Sequence, residues 1–142
     1  LTAVGLEVQQ SVADFARENI KTWNFEDRVD IENTDIRKYR CKSGFDMVTF
    51  YNLIYYFPFD ERIDLLKDIG KHLKPGGELI VTSMCKGKDP SLSLMNLWTS
   101  MTDGYGPLPS PKQIHAQLKK AGYHKIKSEM LIPSFVLFRV TK

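Results

Sequence analysis

Two acidic residues follow two short apolar segments near the start of the chain. Glu7 comes directly after the strand-like run 1–6, and Asp35 comes shortly after the alternating segment 29–33. A carboxylate at the carboxyl end of a parallel strand can accept hydrogen bonds from the two hydroxyls of a ribose. Such charged hydrogen bonds contribute roughly 1.5–3 kcal/mol each. A carboxylate beside an apolar side chain, as in Asp35-Ile36, suits an adenine amine and ring.

Each carboxylate also has an ordinary structural explanation. Glu7 precedes a predicted helix, where an acid is favoured by the positive end of the helix dipole. Asp35 lies among turn-forming residues, where an aspartate commonly accepts a hydrogen bond from its own backbone. The residues by themselves leave both explanations open.

The segment after the third predicted strand is rich in aromatic residues. It reads Tyr-Asn-Leu-Ile-Tyr-Tyr-Phe over residues 51–57. Aromatic faces attract cations, so these side chains could wall a pocket for a positive sulfonium and an acceptor molecule. The alternative is packing in the core, and it is favoured for Tyr56 and Phe57 more than for Tyr51.

The periodicity of apolar residues predicts the elements that would position these groups. A strand over 1–7, a helix over 9–22 and strands over 29–33 and 45–50 come first. Asp60 is predicted to cap the next helix, whose buried face would be Ile63, Leu66, Ile69 and Leu73. Lys74–Gly77 is predicted to end that helix in a turn, and a strand over 78–84 follows.

The C-terminal part is predicted to contain two helices and two strands. Asp89-Pro90 begins one helix; Ser110 caps the other, with Pro111 at its first position and Gln113 completing a capping box. The second helix ends at Gly122. Strands over 125–132 and 134–141, joined through Pro133, must be antiparallel because their connection is so short. Strands alternating with helices indicate an α/β domain.

Composition limits the class of protein. The chain has 142 residues, 42% apolar residues and a net charge of +3 without a block of like charges, which indicates one globular domain without a nucleic-acid surface. Cys41 and Cys85 lack metal-ligand spacing and are predicted to be reduced thiols of a cytoplasmic protein. The apolar runs are too short to cross a membrane. A small molecule is the expected partner.

Five motifs occur in an order that is itself informative. They are the strand ending in Glu7, the segment Thr34–Ile36, the segment Phe45–Asn52, the turn and strand start Leu73–Leu79, and the C-terminal Pro-Ser-Pro helix leading through Ala121–Tyr123 to a strand pair. This set resembles class I S-adenosylmethionine-dependent methyltransferases over essentially the whole chain. The Leu-Lys-Pro-Gly-Gly turn is the most specific of the five.

The resemblance implies a three-layer Rossmann-like sheet, mostly parallel, with a C-terminal antiparallel strand pair. It implies S-adenosyl-L-methionine as cofactor, with Glu7 and Val8 at the ribose, Asp35 and Ile36 at the adenine, and Tyr51 and Asn52 near the methionine and methyl group. Substrate recognition would fall to Tyr55 and to the segment 84–109, which includes Leu94, Trp98 and Met101. Simple packing on the sheet is the alternative for that segment.

The family's first strand and its glycine-rich turn are expected to precede Leu1. In the family order that strand lies between the strands ending at Glu7 and at Phe50, so its loss would expose unpaired edges and favour self-association through them. We therefore expect a methyltransferase acting on a small molecule, with impaired cofactor binding in this chain. The alternative is a non-catalytic methyltransferase-like scaffold. No catalytic base is identified, although Tyr51, Tyr55 and His115 are candidates.

Overall fold

The computed structural model describes residues 1–41, 43–87, 90–102 and 105–142. The chain divides into two compact units, Leu1–Arg40 and Cys41–Lys142. Each unit has its own sheet. Neither Cys41 nor Cys85 forms a disulfide in the described part of the chain.

The first unit is a strand–helix–strand element. It consists of β1 (Ala3–Glu7), α1 (Gln10–Thr22) and β2 (Val29–Asn33). The two strands are parallel and pair in a continuous register from Ala3↔Val29 to Glu7↔Asn33. Gly5 makes this pairing close, since a Cβ atom there would lie 2.6 Å from the Ile31 side chain. Both strands therefore end at the same edge, as the sequence predicts.

The helix of the first unit is only partly buried. Ala13 is buried, whereas the apolar side chains of Val12 and Phe15 are exposed. The helix predicted over 9–22 is confirmed, with the bounds Gln10–Thr22. A sheet of two strands is narrower than the apolar surface of α1, so only one side of that surface is covered.

The second unit is a four-stranded sheet with three helices. Its elements are β3 (Phe45–Tyr51), α2 (Arg62–Lys71), β4 (Leu73–Met84), α3 (Pro90–Met101), α4 (Pro111–Lys120), β5 (His124–Ile132) and β6 (Phe135–Thr141), with a 3-10 turn over Ile54–Tyr56. The strand order is β3-β4-β6-β5. β3 pairs with β4 in parallel, and β6 pairs antiparallel with both β4 and β5. The predicted antiparallel ending is confirmed.

The core of the second unit lies between its sheet and the helices α2 and α4. The central strands β4 and β6 supply its sheet side, where Val81 and Phe138 are paired and buried. The Tyr123 hydroxyl, just after α4, donates to the backbone oxygen of Leu66 in α2 at 2.9 Å. The helices contribute the buried side chains Leu65, Leu66, Ile69, Ile114 and Leu118.

The start and end of α2 differ from the prediction. Glu61 occupies the N-cap position, not Asp60, because residues 58–61 form a turn in which the Glu61 N–H donates to Pro58 O. The helix ends at Lys71, so Leu73 belongs to β4 and not to the helix face. The predicted turn at 74–77 is an irregularity inside β4, between the pairs Phe45↔Leu73 and Met47↔Glu78. Gly76 supplies the positive φ of 77° there.

The helix α3, predicted to begin at Asp89-Pro90, is confirmed from Pro90, whereas Asp89 lies outside the described residues. The capping box of α4 is also confirmed. The Gln113 N–H donates to Ser110 Oγ at 3.3 Å, and the Ser110 N–H donates to Gln113 Oε1 at 2.8 Å.

Replacing Ser110 with alanine should lower the free energy of unfolding of the second unit by about 1 kcal/mol, because the Gln113 N–H then loses its side-chain acceptor. Urea denaturation followed by circular dichroism measures this cost. Ser128→Ala, at an exposed position of β5, is the matched control and should change stability by less than about 0.5 kcal/mol. Equal costs for the two variants would contradict a capping role.

Candidate functional site

The carboxyl ends of β1 and β2 place the first group of predicted residues. Glu7 is the last residue of β1, partly exposed, and it is paired with Asn33 at the end of β2. Its Oε1 accepts the Gln9 N–H at 2.8 Å, and its backbone oxygen accepts from Asn33 Nδ2 at 2.9 Å. Gln9 is the N-cap of α1. The carboxylate thus contacts the start of α1, in agreement with the explanation that an acid is favoured at the beginning of a helix. Its Oε2 can still accept a hydrogen bond. Val8 is exposed beside it.

Asp35 forms a local ion pair two residues beyond the end of β2. Its Oδ1 accepts the Arg37 N–H at 2.8 Å, and its Oδ2 accepts from Arg37 Nη2 at 2.6 Å. The hydrogen bonds from the Arg37 side chain hold the pKa of Asp35 below its usual value. The carboxylate is a turn aspartate that also binds a guanidinium, and Ile36 next to it is half-buried. An adenine amine would have to share the oxygens with Arg37.

The Asp35–Arg37 pair has a measurable titration. Because the pKa of Asp35 is lowered on folding, the pair stabilises the fold above pH 3.8, the ordinary aspartate value, and this stabilisation is lost as the pH falls through the lowered value. We expect a carboxyl NMR titration to place Asp35 below 3.8. Arg37→Ala should return it toward 3.8, whereas Arg28→Ala in the same unit should leave it unchanged. An Asp35 that titrates normally in the unsubstituted chain would contradict the pair.

In the second unit, Asn52 follows β3 in a left-handed conformation. Its φ is 54°, which is uncommon for a residue with a side chain. Its N–H donates to Thr82 O at 2.8 Å, and its Oδ1 accepts the Met84 N–H at 3.2 Å. Asn52 therefore fixes the end of β3 to the end of β4. Backbone conformations of this kind concentrate at functional sites. Tyr51, just before it, is exposed.

The aromatic segment after Asn52 is divided between core and surface. Tyr55 is buried, and Tyr56 is exposed, with ring centroids 5.0 Å apart. Core packing was favoured for Tyr56 and Phe57 more than for Tyr51; Phe57 is half-buried, whereas Tyr56 and Tyr51 are both exposed, and the 3-10 turn directs Tyr55 inward. Burial raises the pKa of Tyr55, so its phenol stays protonated at neutral pH and does not suit a general base.

The aromatic contacts continue to α3. The Tyr56 ring lies 4.6 Å from that of Tyr105, and the Tyr105 ring lies 5.5 Å from that of Trp98. Tyr56, Tyr105 and Trp98 thus form an aromatic row along the surface of the second unit. Met101, one turn beyond Trp98, is exposed. The structure therefore brings Tyr55 and Trp98 near each other through two intervening rings. His115 lies elsewhere, on the exposed side of α4 beside Lys119 and Tyr123.

Sequence reasoning missed Arg62, the first residue of α2. Its side chain is fully buried, and its Nε donates to Phe57 O at 2.9 Å. Nη1 and Nη2 have no hydrogen-bond partner in the described part of the chain. Burial lowers the pKa of Arg62 to about 10. Gly106 covers the guanidinium so closely that a Cβ atom there would lie 2.6 Å from Nη2. The spacing to Leu66 and Ile69 was the available signal, since it puts Arg62 on the apolar face.

Both units combine helices with a sheet, and acids follow the two parallel strands of the first unit. A family model described as a methyltransferase domain matches residues 1–77, more than half of the chain. The chain therefore belongs to the methyltransferase domain family. None of the helices in the described ranges combines the length and hydropathy that a bilayer crossing requires.

Similar proteins include enzymes that methylate small molecules. The chain is 25% identical over 115 residues to demethylspheroidene O-methyltransferase of Rhodobacter capsulatus, covering 79% of this chain and 29% of that protein. Its fold is similar to PigF with SAH (TM-score 0.87, 16% identity, all of this chain and 44% of that one). It is also similar to mitomycin 7-O-methyltransferase MmcR (TM-score 0.86, 21% identity, all of this chain and 42% of that one). The chain thus spans less than half the length of these relatives.

Proposed function

We propose that this chain is part of an S-adenosylmethionine-dependent methyltransferase that methylates an oxygen of a small molecule. The observation that carries the proposal is Glu7 at the carboxyl end of a parallel strand pair in a chain of the methyltransferase family. The small-molecule O-methyltransferases among its relatives support the class of acceptor. The SAH in one similar structure supports the cofactor, since SAH is what remains after S-adenosylmethionine gives up its methyl group.

The residues of the first unit fit an adenosine unequally. Glu7 has an oxygen free of the Gln9 contact and can accept a ribose hydroxyl. Asp35 can bind an adenine amine only in competition with Arg37. We therefore assign the ribose to Glu7 and Val8 as the stronger interaction, and the adenine to Asp35 and Ile36 as the weaker one.

The residues of the second unit suit the reacting end of the ligands. Bound S-adenosylmethionine supplies an electrophilic methyl group on a cationic sulfur. Asn52, fixed by its bonds to β4, would position the methionine part, and the exposed ring of Tyr51 would contact it. The surface rings Tyr56 and Trp98, with Met101, would exclude water from an apolar acceptor. Positioning and desolvation supply much of the rate of a methyl transfer, so a base is not obligatory.

Glu7→Gln tests the cofactor assignment. The amide keeps an oxygen for the Gln9 N–H but loses the charge that strengthens a bond to a ribose hydroxyl, so affinity for S-adenosylmethionine should fall about tenfold, or 1.4 kcal/mol. Calorimetric titration of the protein as its gene encodes it measures this. Glu18→Gln, exposed on α1, is the matched control. Unchanged affinity in Glu7→Gln would remove the ribose role.

Calorimetric titration with S-adenosylmethionine also distinguishes a methyltransferase from the alternative, a non-catalytic methyltransferase-like scaffold. We infer that the 142-residue chain by itself binds the cofactor weakly, because Asp35 is engaged by Arg37. A micromolar dissociation constant for this chain would refute that inference. If the gene-encoded protein binds neither S-adenosylmethionine nor SAH and transfers no methyl group to a phenolic acceptor, the scaffold function replaces the methyltransferase.

A further inference from the structure

A cleft of about 450 Å³ lies in the second unit, between the last turns of α4 and the start of β5. Four of the side chains that line it carry N–H donors: His115 and Lys119 from α4, and His124 and Lys125 from β5. All four residues are exposed. His115 and Lys119 are four residues apart in the helix, so they lie on the same side of it. The cleft therefore has basic groups from two different elements.

The charge of this region differs from that of the rest of the chain. Residues 105–128 contain five Lys, two His and no Asp, Glu or Arg. The formal charge of this segment is +5 and that of the whole chain is +3, so the remaining residues carry −2. Within the described ranges, none of the four basic side chains of the cleft forms an ion pair. The cleft is thus positive and has no carboxylate partner there.

The backbone beside the cleft is held in an uncommon conformation. Lys125 has a φ of 48°, and the register of β5 with β6 is interrupted between His124 and Lys127. Irregularities of this kind reorient side chains and occur often beside functional sites. The preceding residue, Tyr123, is buried, and its hydroxyl donates to Leu66 O at 2.9 Å. The basic groups are therefore attached to a backbone that is fixed before any ligand binds.

We propose that this cleft binds the phosphate group of a small phosphomonoester. A lysine ammonium has three N–H donors and a neutral imidazole has one, and the oxygens of a phosphate accept such bonds strongly. Ammonium groups bind phosphate as point charges, whereas a planar carboxylate is matched best by arginine, and the lining residues in the described chain include no arginine. The half-buried Ile126 in the wall can contact the carbon part of the ester.

The shape of the cleft favours a small molecule over a nucleic acid. Its volume of about 450 Å³ is within the range of small-molecule sites, roughly 300–1,000 Å³. Single-stranded nucleic acids are bound along extended grooves in which aromatic rings stack on the bases. Tyr123 is the aromatic residue that lines the cleft, and it is buried, so it has no free face for a base.

The proposal does not depend on methyl transfer. None of the residues assigned above to S-adenosylmethionine or to the acceptor is among those that line the cleft in the described chain. Loss of phosphate binding and loss of cofactor binding can therefore be measured separately, each with its own ligand.

Titration of the isotope-labelled 142-residue chain with phenyl phosphate, followed by NMR at constant ionic strength, tests the site. We expect saturable shifts of the amide signals of residues 122–126, with a dissociation constant on the order of 1 mM. Inorganic phosphate should shift the same signals with weaker affinity, because it lacks a carbon part to contact Ile126. Lys119→Gln and Lys125→Gln should each raise the dissociation constant about fivefold, since each removes one charged donor.

Lys120→Gln is the matched control. Lys119 and Lys120 both lie in the last turn of α4 and are exposed, but Lys119 lines the cleft and Lys120 does not. The control should therefore change the dissociation constant less than about twofold, because charges outside the cleft are screened by salt. Equal losses of affinity in Lys119→Gln and Lys120→Gln would overturn the proposal, since they would indicate a diffuse attraction to positive charge.

Four further results would also overturn it. The first is the same set of shifts with sodium chloride at equal ionic strength, and the second is no saturation up to about 50 mM phenyl phosphate. The third is inorganic phosphate that binds as tightly as the ester, which would make free phosphate the ligand. The fourth is a single-stranded oligonucleotide that binds more tightly than the ester, which would make the region a nucleic-acid surface.

Discussion

Phe138→Ala is expected to lower the free energy of unfolding of the second unit by about 3–5 kcal/mol. Phe138 is 1% exposed and lies in β6, between β4 and β5, where it is paired with Val81 and Ser128. Truncating it removes a full aromatic side chain from the centre of the core and leaves a cavity that the paired strands on both sides cannot close. Nothing else in β6 has comparable buried volume.

The unfolding of each unit is followed separately, since the chain divides into two compact units. Trp98 lies in the second unit, and in a Trp23→Phe background it is the one remaining tryptophan. Urea denaturation monitored by its fluorescence therefore reports the unfolding of that unit. Phe138→Leu should cost less than about 1.5 kcal/mol because most of the volume remains. Met130→Ala, exposed on β5, should cost less than about 0.5 kcal/mol. A cost below 1 kcal/mol for Phe138→Ala would show that the sheet closes over the space.

The elements that the sequence predicts most closely are those fixed by local interactions. The capping box of α4 needs only Ser110 and Gln113, three residues apart, and both of its hydrogen bonds are present. The strand β2 matches its prediction at both ends because the alternation of Val29 to Asn33 is a local pattern. The antiparallel pairing of β5 with β6 follows from the shortness of their connection.

The predictions that failed depend on contacts between distant residues. Whether Tyr55 or Tyr56 enters the core is decided by the 3-10 turn and by Gly106, whose N–H donates to Tyr55 O. The end of α2 was misplaced because β4 begins pairing with β3 at Leu73, before the glycine turn. These partners are about 30 to 50 residues away in the sequence, beyond the reach of periodicity.

In the candidate site, too, some features could be predicted from the sequence pattern and others could not. The acids Glu7 and Asp35 could be predicted because parallel strands bring their carboxyl ends to one edge, and the register of β1 with β2 agrees with this. The ion pair of Asp35 with Arg37 was not predicted, although it decides how freely that carboxylate can bind a ligand. The pattern of a strand predicts where a side chain lies along the sheet. Which neighbouring residue binds that side chain depends on the conformation of the turn that follows the strand.

Arg62→Met is expected to raise the free energy of unfolding of the second unit by about 2 kcal/mol. A guanidinium removed from water is destabilising when two of its nitrogens have no hydrogen-bond partner among the described residues. A methionine of similar length keeps the packing against the Phe59 ring. The lost bond from Nε to Phe57 O opposes this gain by about 1 kcal/mol. Arg62→Ala should instead be destabilising, because it leaves a cavity.

The pH dependence distinguishes removal of a buried charge from better packing. Burial lowers the pKa of Arg62 to about 10, well below its usual value, so the destabilising effect of the buried charge is present in full well below pH 10. As the pH rises above 10 the folded chain releases this proton before the unfolded chain does, and the penalty diminishes. The advantage of Arg62→Met, measured by urea denaturation with Trp98 as the probe, should therefore be constant from pH 6 to 9 and shrink above pH 10. A variant less stable than the unsubstituted chain would mean that the bond to Phe57 outweighs the desolvation of the charge.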